Sequence, residues 1–98
     1  MADPALEEFA RERDRCVDRL RTMPLRRLPD AAPLAHEACR ALIALTPADA
    51  GRTVPRLADR AAGDQLAVIA ADFLTADPEA SSIAEAARIL TELRRSLP

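Results

Sequence analysis

The chain has 98 residues and a formal net charge of -2, with 49% of its residues hydrophobic, 31% charged, and neither Trp nor Tyr. A chain this short buries only about 60 to 65% of its unfolded surface, so it holds one core but no deep enzyme cavity beside it. Its near-neutral charge gives no long-range pull toward nucleic acid or an anionic membrane.

Phe9 and Phe73 are the only aromatics, so Leu, Ile, Val and abundant Ala must fill the core, and Ala suits closely spaced helices. All 14 basic residues are Arg, and Lys and Asn are absent. This pattern fits the coding bias of a GC-rich bacterial genome, so Arg content by itself carries little functional weight. The opening MADPALEEFARERDR lacks the charged and apolar regions of a signal peptide, and no apolar run reaches the roughly 20 residues that span a bilayer. A cytoplasmic, non-membrane protein is expected.

In chain order, Asp3-Pro4 opens a first helix as N-cap and first helical residue, with Glu7 and Glu8 against the positive end of the dipole. Leu6, Phe9, Ala10, Cys16, Val17 and Leu20 recur at helical spacing to about Arg21. The prolines of TMPLRRLPDAAP then enforce a connector with Leu25 and Leu28 tucked inward. A second helix is expected from about Ala31 to Leu45, capped by Asp30, with Pro33 in its first turn. His36, Glu37 and Arg40 share its one polar side, which makes it a central helix.

Thr46-Pro47 begins a turn that Gly51 ends, and a short helix is expected near residues 55-62. Leu57 and Leu66 would face opposite ways on one continuous helix, which argues for a left-handed break at Gly63 and a new cap at Asp64. A helix from Gln65 to about Thr75 follows. The last helix begins either after Asp77-Pro78 or at Ser82 with Glu85 as capping box. Ile83, Ala86, Leu90, Leu93 and Leu97 form its seam, Ile89 points away from it, and Arg94 and Arg95 meet the negative dipole end. No segment alternates with period 2. The expected fold is all-α, a small bundle of four main helices plus the short one, forming a single domain over residues 1-98.

LADRAAGDQLAV, residues 57-68, resembles the helix-turn-helix pattern, with Ala58 at the small-residue place and Val68 at the apolar place of the second helix. The resemblance implies paired-helix geometry over about twenty residues, with Gly63 one place late for the turn. A reading helix needs side chains for base edges and phosphates, and this one offers Gln65 beside Asp64 and Asp72. Packing is therefore its expected use, and specific nucleic-acid binding is not expected.

Several residues are candidates for contact with a partner. Arg56, Asp59, Arg60 and Asp64 stand three and four apart and can form a charged rim, while Arg26 and Arg27 lie between Pro24 and Pro29 as a stiff pair suited to a carboxylate or phosphate. Ile89 is a candidate dimer contact. Arg13, at the centre of the first helix's stripe, is expected to pair with a partly buried acid, Asp72 being the first choice as the lone acid of its helix. His36 and Cys39 are spaced as two metal ligands with Cys16 as a third, but a fourth is missing, so no metal, cofactor or catalytic residue is expected. Cys16 and Cys39 read as small buried thiols.

The function expected from these features is a non-catalytic protein-interaction or regulatory module that self-associates as a homodimer. A nucleic-acid-associated regulator using Arg26, Arg27, Arg94 and Arg95 is one alternative, and a small ligand binder or enzyme with a pocket between helices is another.

Overall fold

The computed structural model describes residues 3–49 and 51–98. Four helices carry it: α1 (Pro4–Thr22), α2 (Leu28–Ala44), α3 (Ala62–Thr75) and α4 (Ala80–Ser96), with no strand among the described residues. No helix is long and apolar enough to cross a membrane. The all-α bundle expected from periodicity is the architecture observed.

α1 starts as its sequence dictates. The Asp3 carboxylate accepts hydrogen bonds from the Ala5 and Leu6 amides at 3.0 and 3.3 Å, and Pro4 occupies a position whose amide needs no partner. Met23, forced extended by Pro24, ends the helix.

α2 departs from expectation. It begins at Leu28, three residues before the expected Ala31, and Asp30 lies inside its first turn instead of capping it. A 3-10 turn at Leu25–Arg27 feeds straight into the helix, and the Leu28 amide bonds to the Leu25 carbonyl. Pro29 is harmless at the second position, so Leu28 can be wound inward onto the core. Leu25, expected inside, is instead 77% exposed, because the turn faces it to solvent.

The stretch after α2 holds the second correction. The expected short helix is a single 3-10 turn, Asp59–Ala61, and it continues directly into α3, so neither the break at Gly63 nor the cap at Asp64 occurs. Gly63 has no positive φ. Leu57 escapes the register conflict because it lies outside the helix. Gly63 is there for space: a Cβ on it would stand 3.0 Å from Arg21 Cγ and 3.3 Å from both Leu20 Cβ and the Val17 carbonyl oxygen. The glycine lets α3 touch the α1 backbone.

At the other end of α3, the left-handed residue is Asp77, with φ 52, whose amide bonds to the Leu74 carbonyl at 3.1 Å. α4 then starts at Ala80 after Glu79, between the two starts expected. The Glu79 carbonyl accepts from the Ile83 amide at 3.0 Å, and Ser82 already lies within the helix.

α1 packs along α4 and against α3, while α2 packs against α3 and more sparsely against α4. Buried residues from all four helices form one contiguous cluster. Phe9 and Phe73 meet in it with ring centroids 5.5 Å apart, tilted by 39°. Leu42, Leu66 and Leu90 are fully buried, each stabilising the fold by roughly 1.5 to 3 kcal/mol. Buried Ala31, Ala32, Ala35 and Ala38 let α2 lie close to its neighbours.

The close approach at Gly63 yields a stability prediction. Gly63→Leu should lower the unfolding free energy by about 1 to 3 kcal/mol through overpacking against the α1 backbone. Gly63→Ala should be milder, since a helix-propensity gain of about 1 kcal/mol offsets part of the crowding against Arg21, Leu20 and the Val17 carbonyl. Urea unfolding of the two variants measures both.

Candidate functional site

The segment between α2 and α3 builds the most distinctive surface. Residues 52–58 have no helical structure, and two side chains pin their carbonyls: His36 Nε2 lies 3.0 Å from the Val54 oxygen, and Gln65 donates to the Pro55 oxygen at 2.8 Å. Pro55 has no amide to offer and the residue before it avoids helix, so an extended strap across α2 and α3 is the local solution. The strap runs antiparallel to α3, with Arg52 beside Asp72 at 3.7 Å and Pro55 beside Gln65.

Strap and helix together enclose an open, mainly apolar concavity of about 320 Å³ whose walls include Pro55, Leu57, Ala61, Val68 and Ile69, with Arg52 and Asp64 at its edge. Leu57 is 43% and Val68 58% exposed there. Both are large apolar side chains left in water on one surface.

Of the charged rim read from the sequence, Asp64 lines this concavity, while Arg56, Asp59 and Arg60 are sequence neighbours of its lining residues Leu57 and Ala61. Arg56 pairs with Asp59 at 3.0 Å, Asp64 receives a hydrogen bond from Arg21 at 2.8 Å, and Arg60 is exposed. These are solvated pairs, each worth well under 1 kcal/mol. Arg26 and Arg27 sit apart from them on the Leu25–Arg27 turn, both exposed. Ile89 is half-buried and lines a separate groove of about 330 Å³ between α2 and α4, with Leu34 opposite.

The Arg13–Asp72 pair expected from the sequence does not form. Arg13 Nε bonds to the neighbouring Asp14 at 3.0 Å, while Asp72 is half exposed and faces Arg52. The buried acid is Glu12, 5% exposed, which takes a two-pronged hydrogen bond from Arg94 at 2.6 and 3.3 Å. The inward face of α1 is shifted toward Glu12 by less than the roughly 100° that separates successive residues: Leu6 is exposed and Ala10 half-buried, while Phe9, Glu12 and Cys16 point in. Glu12 stands three residues after Phe9 and four before Cys16, but Arg13 stands four after and three before, so spacing alone does not choose between them.

Glu12 and Arg94 fasten α1 to α4. Nearby, the Cys16 thiol donates to the Leu90 carbonyl at 3.2 Å, and Arg19 donates to the Pro98 oxygen at 2.7 Å. The Arg94 hydrogen bond, against a smaller opposing effect of burial, holds the Glu12 carboxyl below its ordinary value. Burial, reinforced by the Glu12 carboxylate, pushes Cys16 up to about 11, and burial pushes Cys39 up to about 12. Both thiols are free and buried. His36 is engaged by the strap, and no group of three metal-ligating side chains gathers among the described residues.

Comparison with protein-family models, with curated proteins and with solved structures finds no match for this chain.

Because its folded-state pKa is lowered, Glu12 contributes stability that is fully present above its ordinary value of 4.5 and is lost as pH falls through the folded value. Arg94→Met, which leaves the buried Glu12 carboxylate with no hydrogen-bonded cation and only Arg15 at 3.8 Å, should destabilise the fold at neutral pH. The deficit should narrow as pH falls below 4.5 and Glu12 takes up a proton, which urea melts at neutral pH and below 4.5 will measure. Both cysteines should also resist a thiol reagent at pH 8 until urea unfolds the chain, with trapped-thiol counts as the readout.

Proposed function

We propose that the chain is a non-catalytic, cytoplasmic protein-interaction module, regulatory in character and self-associating, whose docking face is the concavity between the 52–58 strap and α3. The observation that carries this reading is the joint exposure of Leu57 and Val68 on one concave, charge-rimmed surface. Leaving two large aliphatic side chains in water costs free energy that a partner's apolar side chain would recover, at about 25 cal/mol per Å² removed from water. A centre of aliphatic residues with a charged border is the anatomy of a protein contact.

The other readings have less support. The basic set Arg26, Arg27, Arg94 and Arg95 is depleted as a nucleic-acid surface, since Arg94 is committed to Glu12, and Gln65, the residue best suited to a base edge, is committed to Pro55. For an enzyme, the thiols are buried with raised pKa values and so are poor nucleophiles at neutral pH. Free thiols accord with a reducing compartment.

A photoreactive benzophenone side chain in place of Leu57 or Val68, introduced in cells that produce the protein, should give a covalent protein adduct on illumination. The same group in place of exposed Glu8 on α1 should give none. Absence of an adduct from both concavity positions would overturn the reading.

A further inference from the structure

We propose that the strap at residues 52–58 is a latch: it opens as one unit while the helices stay folded, and the side chains that hold it shut are His36 on α2 and Gln65 on α3. The device is a property of the fold and is independent of what docks beside it.

The strap is lightly held along its whole length. Val54 is half-buried and packs against the core, while Arg52, Thr53, Pro55, Arg56, Leu57 and Ala58 are exposed. Of the strap's amides, that of Arg52 bonds to the Asp49 carbonyl at 2.8 Å, and no other donates to a backbone carbonyl among the described residues. Its polar ties to the helices are therefore the His36 contact with the Val54 oxygen at 3.0 Å, the Gln65 hydrogen bond to the Pro55 oxygen at 2.8 Å, and the Arg52–Asp72 pair at 3.7 Å. The last is too long for a hydrogen bond and is exposed at both ends, so it adds little. Opening then breaks two hydrogen bonds and frees one half-buried valine, which costs far less than unfolding the core.

The surroundings leave the strap room to move. On its α3 side lies the concavity of about 320 Å³, and on its α2 side lies a second one of about 330 Å³, with Arg40, Ile43 and Ala44 facing Arg52, Thr53 and Val54. A segment with open space on both flanks has few side-chain contacts to keep it in place once its carbonyls are released. Short 3-10 turns bound it, Pro47–Asp49 packed on α2 and Asp59–Ala61 packed on α2 and α3, so lifting the strap unwinds no helix. Ile43 of α2 and Ile69 of α3 line a small cavity together with Arg52, at the strap's beginning. Lifting the strap therefore joins the two concavities into a single groove along the α2–α3 contact, with these two isoleucines in its floor.

Trypsin nicking of the intact chain, read by mass spectrometry, tests the latch, because Arg52 and Arg56 stand on either side of the two pinned carbonyls. His36→Ala and Gln65→Ala, each checked for native helix content by circular dichroism, should each speed cleavage after both arginines by about two- to tenfold, the range that loss of one hydrogen bond sets. The double variant should multiply the two effects. Below the unfolding transition, nicking should respond only weakly to urea, because the opening exposes little surface, whereas labelling of the buried Cys16 and Cys39 by a thiol reagent should rise steeply as the whole fold opens. Cleavage rates indifferent to both substitutions would mean that the strap is cut in place, and acceleration at one arginine alone would mean that its two halves move separately. Nicking as steeply dependent on urea as the cysteine labelling would mean that it proceeds through global unfolding. Each of these three results overturns the latch.

Discussion

The contact of Gly63 with α1 fixes the rotation of α3, and much of the molecule's surface chemistry follows from that rotation. With the glycine against Val17, Leu20 and Arg21, the residues on its face, Leu66, Ile69, Ala70 and Phe73, must enter the core. Phe73 then reaches Phe9. Asp64, Val68, Ala71 and Asp72 are left facing water by the same geometry. A side chain larger than alanine at position 63 would push the helices apart and loosen a core that has few large residues with which to refill the gap. The exposed Val68 is therefore tied directly to how the core is packed.

The strap supplies the other wall of the concavity, and it is held by hydrogen bonds more than by burial. Its backbone carbonyls at Val54 and Pro55 find partners on two different helices, so the segment is fixed without adding much to the core. Val54 alone among its large residues packs partly inward. Leu57 stays outside because the chain must turn at Asp59–Ala61 to enter α3. This arrangement gives the single His and the single Gln of the chain structural work, which withdraws both from the roles their chemistry first suggests.

Charge is used in two distinct ways. At the α1–α4 seam Glu12 and Arg94 are sheltered, so their pairing responds to the loss of either partner. On the surface, pairs such as Arg40–Glu37, Arg56–Asp59 and the Arg88 links to Glu85 and Glu92 are local to one element and exposed, and such pairs contribute little to stability. Exposed charges of this kind remain free to exchange partners across an interface. The rim of the concavity is exposed in the same way, although its pairs Arg21–Asp64 and Arg52–Asp72 join different elements.

The sequence by itself determined the helices. Asp3-Pro4, the proline-rich connector and the 3-4 spacing in α1 and α4 depend on local sterics and hydrogen bonding, which operate within a few residues, and they placed four helices and no strands. The seam of Ile83, Ala86, Leu90 and Leu93 was equally legible, because a helix with one apolar side has one way to bury it. Boundaries and rotations were not legible. Leu28 wound α2 back past Pro29 because the core accepts a leucine there, and Gly63 lies within a helix because α1 approaches it, and neither fact is encoded within reach of its own neighbours. The same holds for Glu12 over Arg13 as the buried charge, since both stand three or four residues from Phe9 and Cys16 and only Arg94, 82 positions away, decides between them. α3 looked apolar all round, so its sequence did not show which side it exposes. Packing against α1 and α2 decided that, because side-chain volumes on neighbouring helices, and not the helix's own pattern, determine which of its apolar faces finds a partner.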